Sequence, residues 1–123
     1  MNNNNNSTGL LQQLYVVRSH YSYESESSSG VEAVFLDPIK AYRDAIGRVL
    51  CDDEIRFMTS KLLCMRMNLP IKTDLQEDAD RQDVLDCLKT ITELSELKII
   101  FQELDSGDDV STRYFIDTTD LIV

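Results

Sequence analysis

IRFMTSKLLCMRMNL, residues 55–69, carries nine apolar side chains in fifteen positions. Ile55, Met58, Leu62, Met65 and Leu69 recur at i, i+3, i+7, i+10 and i+14, one face of a helix. Phe57, Leu63, Cys64 and Met67 lie off that face, so apolar surface wraps much of the cylinder. A helix of this kind is central to a core or covered by a partner chain. The stretch therefore predicts a central helix on which the other segments pack.

Working outward, Asp37-Pro38 marks a helix start. Aspartate accepts an N-cap hydrogen bond, and proline at the first helical position loses none. Ile39, Tyr42, Ile46, Val49 and Leu50 then form an apolar stripe, with Lys40, Arg43, Asp44 and Arg48 on the other sides. The short connection at residues 51–53 predicts that this helix runs antiparallel to the central one. Leu69-Pro70 predicts the end of the central helix, because the residue before proline is pushed out of helical geometry.

Downstream, Thr73 or Asp74 with Gln76 or Glu77 forms a capping box. Val84, Leu85, Leu88 and Ile91 follow at helical spacing, then Leu94, Leu97, Phe101 and Leu104. They predict one long helix, or two divided near Thr92, closed at Gly107.

Two segments read as strands. VEAVFL, residues 31–36, and VSTRYFID, residues 110–117, are β-branched and aromatic, and they are expected to pair with each other. Leu10, Leu11, Leu14 and Val17 recur at helical spacing, so residues 9–18 read as a short amphipathic helix. SHYSYESESSSG, residues 19–30, has no aliphatic side chain and reads as a mobile linker. Residues 2–6 are an asparagine tract, read as a disordered leader. The fold expectation is mainly α. It is a small helical domain of three to four packed helices, with a short two-stranded β element and an amphipathic N-terminal arm. Residues 1–30 are the arm and linker, and residues 31–123 are one domain.

The chain has 123 residues and a net charge of −10. Residues 1–73 hold eight basic and eight acidic side chains, while residues 74–123 hold four and fourteen. This balance disfavours nucleic-acid binding, which depends on Lys and Arg neutralising phosphates. Cys51, Cys64 and Cys87 are odd in number and widely spaced, which reads as reduced thiols in a cytoplasmic or nuclear protein. The polar N-terminus does not read as a signal peptide, so secretion is not expected. No apolar run approaches a membrane span.

Chemistry-bearing motifs are weak. His20 is the one histidine, and the cysteines lack zinc-site spacing. Asp74, Gln76, Asp78 and Asp80 resemble the start of an EF-hand loop. Ala79 stands where its glycine belongs, however, and Leu85 where its glutamate belongs. There is no P-loop, no GxGxxG and no GxSxG. The chain reads as non-enzymatic, with no cofactor or metal.

What remains is protein–protein interaction. The leading expectation is an interaction subunit, an adaptor or structural building block of a larger intracellular or viral assembly. Its partners would be other protein subunits or further copies of itself. Leu10, Leu11, Leu14 and Val17 form one apolar handle, and Leu121, Ile122 and Val123 another. Phe57, Met65 and Met67 lie off the main face of the central helix, and methionine adapts to irregular partner surfaces. The alternative is an acidic inhibitor or nucleic-acid mimic that meets a basic surface through Asp78, Asp80 and Asp83.

Overall fold

The computed structural model describes residues 11–51, 60–69, 81–104 and 112–122. In chain order these form strands β1 (Leu11–Tyr23) and β2 (Glu26–Phe35), then helices α1 (Pro38–Cys51), α2 (Lys61–Arg66), α3 (Arg81–Thr90) and α4 (Leu94–Leu104), then strand β3 (Thr112–Ile122). The strands make one antiparallel sheet in the order β2-β1-β3. A three-stranded sheet and four helices, counted among the described residues, make this a mixed α/β fold. The mainly α expectation is therefore corrected.

The correction begins at the N-terminal arm. Residues 11–18, expected as an amphipathic helix, belong to the middle strand. Leu14 and Val17 fit a helical spacing, but the neighbouring Tyr15, Val16 and Val17 are aromatic and β-branched, which favours an extended chain. The serine-rich segment is no linker. It closes the β1–β2 hairpin, with Ser19 opposite Gly30 and Tyr23 opposite Glu26. Glu24, at φ 54, occupies the two-residue turn. Ladder hydrogen bonds hold this arm, so it needs few apolar side chains.

The expected pairing of residues 31–36 with 110–117 does not form, because β1 lies between them. It pairs Val16 with Val34 on one side and with Asp117 on the other. β3 runs on to Ile122, which lies opposite Leu11.

β2 carries a bulge. Val17 pairs with Ala33 and Arg18 with Val31, so Glu32 has no opposite number. The extra residue resets the alternation. Ala33 and Phe35 pack towards the core, while Val31 and Val34, three apart, share the other face. Without the bulge Val31 would point the opposite way.

α1 holds the organising place expected of residues 55–69. It packs against α3, α4 and all three strands. Asp37 Oδ1 accepts from the Ile39 N–H at 2.9 Å, the expected N-cap. Ala41, Ala45, Ile46, Val49 and Leu50 are buried, joined by Val17, Val84, Leu88, Ile91, Leu97, Ile100 and Leu104. Arg43 Nη2 donates to the Ile91 carbonyl at 2.6 Å, tying α1 to the break between α3 and α4. That break, at residues 91–93, takes the divided form of the two sequence readings.

Of the central stretch, residues 55–59 lie outside the described residues, and α2 accounts for Lys61–Arg66. Fully buried Ser60 caps it, accepting from the Leu63 N–H at 3.1 Å and donating to Glu103 Oε1 at 2.7 Å. The helix ends ahead of the expected Leu69-Pro70 boundary. Asn68 takes a left-handed φ of 59; its N–H donates to the Met65 carbonyl, and that of Leu69 to the Cys64 carbonyl. This pair of bonds is a Schellman motif.

Candidate interaction surface

The helices lie on one face of the sheet, where Tyr15, Val17, Ala33, Phe35, Tyr114 and Ile116 meet the core. The other face carries the residues of opposite phase: Val16 with Val34 and Asp117, and Arg18 with Val31 and Phe115. No described element covers it. Val31 is 53% exposed, Val34 52%, Phe115 41% and Leu121 40%. Arg18 Nε reaches Asp117 Oδ2 at 2.7 Å across this face, and His20 Nδ1 meets Ser29 Oγ at 2.7 Å. The surface therefore mixes these apolar side chains with polar ones, among them Gln12, His20, Thr119 and the exposed Arg18–Asp117 ion pair.

The edge of the sheet on the β3 side opens into a groove of about 480 Å³. Tyr42 and Phe101, in edge-to-face contact with centroids 5.7 Å apart, line it with Lys98, Gln102 and residues 114–117. Consecutive strand residues point to opposite faces, so a groove touching all four of them runs along the strand's edge. The Lys98 ammonium sits 5.9 Å from the Tyr42 ring centroid. Burial, and then the neighbouring Tyr15, push the Tyr42 phenol above its ordinary pKa.

The expected contact residues are dispersed. Leu14, half-buried, lies on β1, and Leu11 pairs through its backbone with Ile122. Val17 is fully buried, and Met67 packs against the core. Met65 is 67% exposed on α2, and Asp83 is exposed in the first turn of α3. Leu121 lies exposed near the end of β3. Leu10, Phe57, Asp78, Asp80 and Val123 lie outside the described residues. The sheet thus puts Leu121 on the same face as Phe115, Val31 and Val34, three residues that the sequence reading did not select, but at the far end of β3, opposite Gln12. Alternation within residues 31–36 could have suggested Val34, but Val31 depends on the bulge.

Of the basic residues in the middle of the chain, Arg48 and Arg66 pair with acids of α1, β2 and α4. Arg48 Nε bonds Asp44 at 2.7 Å and its Nη1 reaches Glu32, while Arg66 Nε bonds Glu96 at 2.7 Å. Among the described residues no three His, Cys, Asp or Glu side chains cluster as a metal site. Cys64 is buried. Burial raises the Cys87 thiol pKa, only partly offset by Arg66 and Thr90, which disfavours the reactive thiolate. No helix among the described residues is long and apolar enough to cross a membrane. No family model, curated protein or solved structure matches the chain.

Proposed function

We propose that the chain is a non-enzymatic interaction subunit of a larger protein assembly, docking through the outer face of its sheet. The observation that carries this reading is the exposed pair Val31 and Val34 beside Val16, with Phe115 across Arg18, on a face that no described element covers. Contiguous apolar patches on monomers are small, and larger ones mark contact sites. A bulge that turns Val31 outward beside Val34 works against solubility, unless another protein covers the pair. The partner is a protein surface with an apolar centre and polar groups that meet the Arg18–Asp117 pair.

The test compares the tagged chain with a Val31→Ser, Val34→Ser variant, each expressed in its native cell. Wild type is expected in a complex of fixed stoichiometry, and the variant, equally folded by circular dichroism, outside it. A variant that stays in the complex overturns the outer-face reading. A wild-type chain that is monomeric in the extract overturns the subunit reading.

A further inference from the structure

The two edges of the sheet differ. β2 is irregular, bulged at Glu32, a device that discourages strand addition. β3 pairs with β1 from Thr112 to Ile122 without a register break, and no described strand lies on its other side. Its edge faces the groove roofed by Phe101 and Lys98 of α4. We propose that this edge pairs with β3 of a second copy of the chain, antiparallel about a two-fold axis at Thr118, giving a continuous six-stranded sheet.

Among axes at residues 116–120, in the C-terminal part of β3, charge and parity select the register. Antiparallel partners across such an axis share a sheet face, so the axis must pass through a residue position. Centring it on Asp117 or Asp120 sets like charges directly opposite each other, which is destabilising. Centring it on Ile116 sets Phe115 against Asp117, and centring it on Thr119 sets Asp117 against Leu121. At Thr118 the apolar outer-face residues Phe115 and Leu121 meet, and Asp117 meets Thr119. On the helix-covered face, Asp120 of the copy falls beside Ile116, which lines the same groove as Lys98. Among the described residues, Lys98 contacts the Tyr42 ring and has no carboxylate partner, and exposed Asp120 has no cation beside it. The pairing supplies each with the other, twice over by symmetry.

The pairing shares Phe115 and Leu121 with the outer face but leaves Val31 and Val34 of β2 outside it, and the inference does not rest on the proposed function. The full chain is studied by analytical ultracentrifugation from about 1 to 100 μM, a range that brackets micromolar association. Wild type is expected to dimerise. Asp120→Lys and Lys98→Glu should each weaken the dimer about tenfold or more, and the double reversal should restore it. Thr118→Cys should cross-link under mild oxidation where wild type does not, because directly opposed Cβ atoms approach disulfide reach. Val31→Ser, Val34→Ser should dimerise normally, which separates this surface from the proposed partner face. A wild-type chain monomeric throughout overturns the inference. So does a dimer that ignores both reversals and gives no Thr118→Cys cross-link.

Discussion

Arg48 Nη1 lies 3.2 Å from Glu32 Oε1, joining the middle helix of the core to the one residue of β2 that has no cross-strand partner. Glu32 Oε2 also accepts from Ser19 Oγ at 2.6 Å. The bulge thus frees a carboxylate to bridge β1 and α1. Arg48 binds Asp44 as well, and that hydrogen bond is the main reason its pKa is raised.

This contact gives an asymmetric prediction for deletions in β2. Removing Glu32 restores an uninterrupted ladder, with Val17 still opposite Ala33 and Arg18 still opposite Val31. The loss is one partly exposed ion pair and one hydrogen bond, about 1–2 kcal/mol together. Removing Val34 instead moves Ala33 to the outer face and sets the Glu32 carboxylate opposite buried Val17. Thermal melts should show the Glu32 deletion folded and the Val34 deletion severely destabilised. Equal losses would contradict the assigned bulge.

Ser60 is the second test. It is fully buried, caps α2, and donates to Glu103. Ser60→Ala removes the cap and leaves the Leu63 N–H unsatisfied, for about 1–2 kcal/mol. Urea unfolding should show a lower midpoint with an unchanged slope. Ser60→Asp should not rescue stability, because a second carboxylate would face Glu103 at close range.

Much of the helical part was legible because its signals are local. Asp37-Pro38 starts α1 as read, and the stripes containing Ile46, Val49, Leu88, Leu97 and Leu104 are buried. The sheet was legible only in part: residues 31–35 and 112–117 are strand as read, but the middle strand and the pairing come from contacts between distant segments. Ser19 to Ser29 has little aliphatic content of its own and becomes strand by lying beside β3 and its own hairpin partner. The central-helix reading failed for a related reason. Apolar density in residues 55–69 matched a buried helix, but Ala41 and Ala45, too small to stand out in a stripe, are fully buried in the α1 that took that position. Of the proposed contact face, Leu121 was visible as an apolar end, while Val31 required the bulge.

Asn68 is predicted to tolerate glycine and reject branched residues. Its left-handed φ of 59 sets up the two hydrogen bonds that close α2. Asn68→Gly should be neutral or stabilising by a few tenths of a kcal/mol, since glycine adopts this conformation freely. Asn68→Val should cost about 1–2 kcal/mol. Paired urea titrations decide it, and equal stability of the two variants would contradict the left-handed cap.

The pH dependence of stability should carry the signature of Tyr42. Its phenol pKa is raised, first by burial and then by Tyr15. The folded chain therefore holds this proton more tightly than the unfolded chain. Below the ordinary tyrosine pKa of about 10 both states are protonated, and the contribution to stability is fully present. As pH rises past that value the unfolded state releases the proton first, and stability falls until the folded phenol also ionises. The raised Cys87 thiol acts with the same sign, starting from the ordinary thiol value of about 8.5. Stability measured by urea midpoints should thus decline in two stages, the first setting in above about pH 8.5 and the second above about pH 10. Tyr42→Phe should flatten the upper stage and Cys87→Ala the lower, each leaving the other in place. A Tyr42→Phe profile that overlays wild type above pH 10 would show that the phenol is solvated as fully in the folded chain as in the unfolded one.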